Sequence, residues 1–179
     1  MSHKQQVDFC KRVLNSRSEY FKNKKVLDCG SLDINGNNRY LFTDCDYTGI
    51  DVGKGKNVDI VCPIHEFNAP DESFDFIIST ECFEHDMHYK KSFRNIIRML
   101  KKGGMFLFTC ATTGRKEHGT ADTSPIDAPL LTGEWQDYYK NLTQEDLEVF
   151  IDFEEVFEDY YFEVDKEHKD LNFCGIKRS

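Results

Sequence analysis

Three groups of residues have types and spacing that could do chemistry. Gly30 ends an apolar run and opens a polar loop over residues 31–36. Asp51 ends a second apolar run, 21 residues after Gly30, and the stretch STECFEHD at 79–86 follows a further one, with His85 near its end. A glycine after a strand lets a ligand approach the backbone, and a carboxylate about 20 residues later can accept hydrogen bonds from both hydroxyls of a ribose. A histidine can accept a proton near pH 7.

The elements that must position these groups alternate between helix and strand. Apolar spacing predicts a helix over 7–21 and an amphipathic helix over 88–104 that ends at Gly103 and Gly104. Near-continuous apolar strands between helices predict a mostly parallel sheet covered on both faces. Ligands of such sheets bind at the carboxyl ends of the strands, where the three groups would meet. The predicted strands are 24–30, 47–52, 58–62, 73–80 and 105–111.

The last third of the chain begins with a long segment rich in Gly, Thr and Pro. Loops of that length in compact domains are usually functional or disordered, and we expect an acceptor-side insertion over about 111–140. A helix is predicted over 141–152, with Thr143 as N-cap and Asp146 as the acid of a capping box. The apolar runs 157–165 and 171–178 predict an antiparallel hairpin at the edge of the sheet.

Length, charge and hydropathy limit the classes of protein that the chain could belong to. Its 179 residues predict one domain over 1–179, and its net charge of −9 disfavours a large contact with nucleic-acid phosphates. No apolar run approaches the roughly 20 residues of a membrane span. The polar start of the sequence lacks the apolar centre of a signal peptide. We therefore expect a cytoplasmic protein without membrane contact.

Cysteine usage predicts reduced, buried thiols. The seven cysteines include no C-x-x-C pair, and several lie within or at the ends of apolar runs. An alternative is a metal site on Cys62, His65, Cys82 and His85, but their spacing matches no zinc pattern. The expected metal content is therefore none.

The loop after Gly30 distinguishes between nucleotide cofactors. A dinucleotide needs a glycine-rich turn that leads into a helix N-terminus, which holds the pyrophosphate. The sequence GSLDINGNNR lacks GxGxxG, and its Asp33 would repel a phosphate. A ligand with a ribose, no phosphate and a cationic amino-acid end fits better. S-adenosylmethionine (SAM) is such a ligand.

Nearly the whole chain resembles the class I SAM-dependent methyltransferases. VLDCGSLDINGN is similar to their first motif, YTGIDV to the acidic second, FDFIISTECFEH to the fourth, and LKKGGMFLFTCA to the segment that enters strand five. The FEH of 83–85 is similar to the LEH of many small-molecule methyltransferases. GSLDINGN, TECFEHD, GRKEHGT and YYKNLTQEDL resemble a bacterial and phage-borne subgroup of unnamed substrate. The resemblance implies a Rossmann-like, doubly wound, mostly parallel α/β sheet with an antiparallel hairpin at its C-terminal edge.

The resemblance also implies which residues bind SAM and its product S-adenosylhomocysteine. The chain departs from the family pattern at Ser31-Leu32, where most members have a second glycine, and at Pro63, near a common Asp. The implied cofactor residues are Asp28, Gly30 and Ser31 for the methionine end, Asp51 for the ribose, Val52, Ile64 and His65 for the adenine, and Thr80 and Glu81 for the sulfonium and amino group.

Acceptor chemistry is predicted from the residues after the fourth and fifth strands. His85 and His118 are the candidates for a general base. The residues predicted to bind the acceptor are Arg115, Glu117, Trp135 and Tyr138. The alternatives are a surface pair between Arg115 and Glu117, and a place in the core or a dimer contact for the two aromatic residues.

The expected function is methyl transfer from SAM to a small molecule, such as a sugar or sugar-nucleotide, by a monomer or homodimer. One alternative is a nucleic-acid or protein methyltransferase, which a basic patch around the pocket mouth would favour. Another is a SAM-binding partner subunit without transfer activity.

Overall fold

A seven-stranded sheet forms the centre of the protein, whose residues 3–179 are described by a computed structural model. The strand order is β3-β2-β1-β4-β5-β7-β6. The strands β1 to β5 pair in parallel, and β7 pairs antiparallel with both β5 and β6. The predicted mixed sheet and its C-terminal hairpin are thus confirmed. The strands are β1 Lys25–Cys29, β2 Asp46–Asp51, β3 Ile60–Val61, β4 Phe74–Thr80, β5 Leu100–Ala111, β6 Phe157–Asp165 and β7 Asp170–Lys177.

Helices cover both faces of the sheet, which explains why the central strands are apolar without alternation. Helix α1 (Lys4–Ser16) places Phe9 and Val13 in one apolar core, beneath one face. Helix α2 (Tyr89–Met99) places Phe93 and Ile96 in a second core, beneath the other face. Two short helices, α3 (Gln144–Glu148) and α4 (Phe153–Val156), precede the hairpin.

Three predicted helices end earlier than expected. The helix predicted over 141–152 forms only α3, Gln144–Glu148, and α4 is a separate helix. The helix predicted over 88–104 stops at Met99, because the fully buried Leu100 already pairs with Phe74 as the start of β5. The expectation that Gly103 and Gly104 terminate this helix is therefore wrong. The helix predicted over 7–21 stops at Ser16 and is followed by a separate 3-10 turn, Ser18–Phe21.

The capping box at the start of α3 is confirmed. The backbone N–H of Asp146 donates to the Thr143 hydroxyl oxygen, and the Asp146 carboxylate accepts the N–H of Thr143 at 3.0 Å. These two bonds satisfy backbone donors that the first turn of a helix leaves free.

The segment between β5 and α3 contains only two short 3-10 turns, Pro125–Asp127 and Gly133–Trp135. Backbone hydrogen bonds hold it against the sheet. The N–H of Lys140 donates to the carbonyl of Glu84 at 2.8 Å, and that of Leu142 donates to Ala111 at 2.9 Å. The segment is thereby attached to the carboxyl end of the sheet, where a ligand of an α/β protein binds.

Two further features of the molecule are the state of its cysteines and the length of its helices. The seven cysteines are all unpaired, and Cys10, Cys29, Cys110 and Cys174 are buried. Within residues 3–179, no helix combines the length and the apolar character that a membrane span requires.

Candidate cofactor and acceptor site

Two adjoining cavities lie at the carboxyl ends of β1, β2 and β4. The larger has a volume of about 770 Å³ and the smaller about 360 Å³. Gly30, Asp51 and His85 line both of them, together with Cys82 and Leu131. The three groups singled out in the sequence therefore meet at one site.

The backbone at the ends of β1 and β4 has the conformation that a close ligand approach requires. Gly30 has φ +79°, and a Cβ atom there would lie 2.5 Å from Cys82 Sγ, so no larger residue fits. Glu81, directly after β4, also has a positive φ of 52°. Such backbone is sparsely populated outside glycine and is concentrated at functional sites.

Asp28 is held by side chains from two other segments. Asn38 Nδ2 donates to Asp28 Oδ1 at 3.2 Å and lies 3.1 Å from Thr80 Oγ1, to which it also donates. The Tyr47 hydroxyl donates to the other Asp28 oxygen. Burial nevertheless raises the pKa of Asp28 to about 6. Each carboxylate oxygen of Asp28 thus accepts one side-chain hydrogen bond, and Asp28 lines the larger cavity.

Asp51 lies where the two cavities join. Its carboxylate accepts the backbone N–H of Leu32 at 3.0 Å and that of Val52 at 2.8 Å. Burial raises its pKa, and these two N–H groups partly offset the effect. Each oxygen retains a free lone pair for a further donor, such as a ribose hydroxyl.

Glu81 brings an ionised carboxylate to the larger cavity. Thr109 Oγ1 donates to Glu81 Oε1 at 2.8 Å, and His3 Nε2 lies 3.5 Å from Oε2. Burial would raise the pKa of Glu81, but the contacts with His3 and Thr109 outweigh it and hold the value at about 2. A buried carboxylate of this kind favours a cationic ligand group beside it.

The other residues predicted to bind SAM are placed as follows. Ser31 and Thr80 line the larger cavity, and the Ser31 hydroxyl is occupied by the carbonyl of Asn57 at 3.1 Å. Val52 and Ile64 line the smaller cavity. His65 is not among the lining residues, and its ring lies 4.2 Å from that of His88, measured between centroids.

His85 and His118 come together although 32 residues separate them in the sequence. Their ring centroids are 5.2 Å apart, and Tyr139 lies 5.4 Å from the first and 5.1 Å from the second. The 3-10 turn Phe83–His85 positions His85, whereas His118 comes from the segment after β5. Burial and the neighbouring His118 lower the pKa of His85 to about 3, so its imidazole is neutral at pH 7.

The four predicted acceptor residues divide into two groups. Trp135 lines the smaller cavity. Tyr138 is half-buried and lines neither cavity. Arg115 Nη1 donates to Asp170 at 2.9 Å, whereas Glu117 accepts the Thr120 hydroxyl at 2.9 Å. The alternative of an Arg115–Glu117 surface pair is therefore wrong.

Several residues of the cavity walls were not predicted from the sequence. Asn38 was not predicted because its partner Thr80 lies 42 residues away in the sequence, so that only the fold brings the two together. The run 127–131 lines the larger cavity, and its Leu130 packs on Gly53. The apolar sequence APLL, at 128–131 within an otherwise polar segment, was the available signal.

The alternative metal site on Cys62, His65, Cys82 and His85 is not formed. These residues do not constitute one of the groups of ligating side chains that residues 3–179 bring together.

Residues 6–108 match the family described as "Methyltransferase domain". This is more than half of the 179 residues, and the chain therefore belongs to that family. Its fold is that of a class I SAM-dependent methyltransferase, and SAM is its cofactor. A search of curated protein sequences gave no match.

Solved structures show the same fold at low sequence identity. The 1,6-didemethyltoxoflavin-N1-methyltransferase of Burkholderia thailandensis, with its substrate and S-adenosylhomocysteine bound, has a TM-score of 0.66 at 14% identity, over 97% of this chain and 79% of that one. Phosphoethanolamine N-methyltransferase 2 of Haemonchus contortus has a TM-score of 0.64 at 18% identity. The match covers 96% of this chain and 53% of that one. The N-methyltransferase NodS of Bradyrhizobium japonicum WM9 has a TM-score of 0.59 at 15% identity. The match covers 98% of this chain and 95% of that one.

Proposed function

We propose that the protein transfers the methyl group of SAM to a small-molecule acceptor that enters beside His85 and His118. The observation that carries the proposal is the position of His85, which lines both cavities and contacts the His118 ring. A polar pair next to the cofactor residues can bind an acceptor and assist the loss of its proton. The products are the methylated acceptor and S-adenosylhomocysteine.

The charge of the cavity walls supports an acceptor without phosphate, such as a sugar. No described residue that lines either cavity is Lys or Arg, whereas Asp28, Asp51 and Glu81 are all present. Arg115, a predicted acceptor residue that could bind a phosphate, is already bonded to the buried Asp170. Phosphate recognition normally relies on such cations, so a sugar is favoured over a sugar-nucleotide or a nucleic acid.

The residues of the site would contribute orientation and electrostatics. SAM supplies a methyl group that its positively charged sulfur has activated. Asp51 would hold the ribose, and Glu81 would favour the cationic end of the cofactor. The wall at 127–131 would exclude water from the reacting atoms.

Transfer of a radioactive methyl group from SAM tests the proposal. The panel contains free sugars, sugar-nucleotides, RNA and a protein extract. We expect label in the free sugars, and much less of it with His85→Ala or His118→Ala. Label in RNA or protein would contradict a small-molecule acceptor. SAM binding without any transfer would favour the non-catalytic partner subunit.

A further inference from the structure

Three side chains that could ligate a metal converge beside the cofactor cavities. Glu84 and His85 lie on the 3-10 turn after β4, and His118 comes from the segment after β5. Each offers one ligand atom, and these atoms all lie within 4.8 Å of one another. Metal–ligand distances of about 2.1 Å require pairs closer than roughly 4.2 Å, so small side-chain movements complete the geometry. We call these three residues the Glu84 cluster.

The Glu84 carboxylate lacks any partner that would explain its burial. Its side chain is fully buried, with a relative exposure of 0%. Neither Oε1 nor Oε2 has a hydrogen-bond partner among the described residues. Because an unpaired buried charge is costly, burial raises the pKa of this carboxyl group and favours its protonated form, whereas a bound cation would replace the proton and satisfy both oxygens.

Each of the two histidines has a ring nitrogen that is available to a cation. His118 Nδ1 lies 3.1 Å from the carbonyl oxygen of Lys116, to which it can donate, and this leaves Nε2 as a free acceptor. A hydrogen bond from one ring nitrogen to a backbone carbonyl is the usual support for a metal-ligating histidine. His85 Nδ1 is buried and also lacks a partner within the described residues.

A second group of ligating side chains, His3, His168 and Asp170, is a weaker candidate. Asp170 already forms ion pairs with Arg115 at 2.9 Å and with His3 at 3.0 Å. These positive charges would repel a metal ion. The carboxylate of the Glu84 cluster has no such partner among the ion pairs of residues 3–179.

We infer that Glu84, His85 and His118 bind a divalent transition-metal cation whose open coordination positions take the acceptor hydroxyl. Two histidines and one carboxylate form a three-ligand set that is typical of catalytic zinc and of non-haem iron, and such sets leave positions for substrate. His85 lines both cavities, so those positions adjoin the cofactor site. Metal binding by the Glu84 cluster does not depend on the proposed function, whereas a role of the metal in methyl transfer rests on that function.

The cation would act on an oxygen acceptor. A hydroxyl bound to a divalent cation loses its proton to water more readily than a free hydroxyl. A lone pair of the resulting oxygen then forms the bond to the methyl carbon of SAM. The bond from that carbon to sulfur breaks, and its electron pair remains on sulfur as S-adenosylhomocysteine is formed. The histidines thus assist proton loss through the cation.

Titration of the chelator-treated protein with Co²⁺ and Zn²⁺ tests the site without any acceptor. We expect one equivalent of Co²⁺ to bind and to give visible absorption of a nitrogen- and oxygen-ligated ion, and Zn²⁺ to displace it. Glu84→Gln and His118→Ala should each weaken binding at least tenfold. His168→Ala, which alters the other group, should leave binding unchanged. Retained calorimetric binding of SAM by each variant shows that it is folded.

The outcomes separate the metal site from the proposed function. No binding by the native protein, or binding that only His168→Ala removes, would overturn the site. Transfer to a hydroxyl that is unchanged after metal removal would overturn its catalytic role. Metal binding that depends on Glu84, without transfer to any small molecule, would uphold the site and count against the proposed function.

Discussion

His3 lies 3.5 Å from Glu81, measured from Nε2 to Oε2, and it joins the start of α1 to the end of β4. The same nitrogen is 3.0 Å from Oδ2 of Asp170, at the start of β7. Burial lowers the pKa of His3, but the contacts with Asp170 and Glu81 outweigh it and raise the value to about 9. A protonated histidine therefore lies between two buried carboxylates at the edge of the cofactor site, and Arg115 adds a second positive charge beside them.

This ion-pair group predicts a pH-dependent contribution to stability. The pKa of His3 rises from 6.5 to about 9 on folding, so its contribution is fully present below pH 6.5 and is lost as the pH rises through 9. The free energy of unfolding of the native protein should exceed that of His3→Gln at pH 6, and the difference should shrink by pH 9.5. Arg115 and the ring of His168 also face this group and are retained in the variant. Urea unfolding at the two pH values is the measurement, and an unchanged or larger difference at pH 9.5 would contradict the assignment.

Asp51 should contribute to SAM affinity through its charge. Asp51→Asn replaces an acceptor oxygen with a donor NH₂, and the loss of a hydrogen bond to a charged group costs about 1.5–3 kcal/mol. Binding of SAM should weaken about ten- to hundredfold, as measured by calorimetry. Asp46→Asn, at the exposed start of the same strand, is the matched control and should bind normally. Equal affinity of the two variants would remove Asp51 from the site.

Gly119 should be required for the position of His85. It has φ +71°, and a Cβ atom there would lie 2.7 Å from His85 Cε1 and 2.8 Å from the Cβ of Ala128. Gly119→Ala should therefore displace the ring and reduce methyl transfer. Gly133→Ala is the matched control, because Gly133 has φ +61° and nothing within 4 Å of a Cβ atom. Both variants should lose about 1–2 kcal/mol of stability from the strained backbone, but only the first should lose activity.

Arg115 should act mainly as a structural partner of Asp170. Its guanidinium also donates to the carbonyl of His168 at 2.8 Å, and Asp170 is buried. Arg115→Gln removes this charged hydrogen bond and leaves His3 as the remaining cationic partner of Asp170, so it should lower the free energy of unfolding by about 1.5–3 kcal/mol. Lys116→Gln, at an exposed position, should have little effect. A stable Arg115→Gln variant with a raised KM for the acceptor would instead place Arg115 in acceptor binding.

The local sequence was sufficient to predict those features that interactions between neighbouring residues determine. The five parallel strands were predicted because each contains a short apolar run, and the capping box at Thr143 because its bonds span three residues. The end of α2 was predicted wrongly because the pairing of Leu100 with Phe74 overrode the two glycines as a stop signal. That pairing joins positions 26 residues apart and leaves no trace in the local sequence.

The sequence by itself determined the class of the protein and the edge of the sheet at which its candidate site lies, because the ends of parallel strands meet at one edge whatever the side chains around them. Gly30, Asp51 and His85 were all assigned to one site on that ground. Only the tertiary structure decided the partners of those residues. The contacts of Asn38 with Thr80, of Arg115 with Asp170 and of His118 with His85 each join parts of the chain that belong to or follow different strands. Their distances depend on how the loops pack rather than on spacing along the chain.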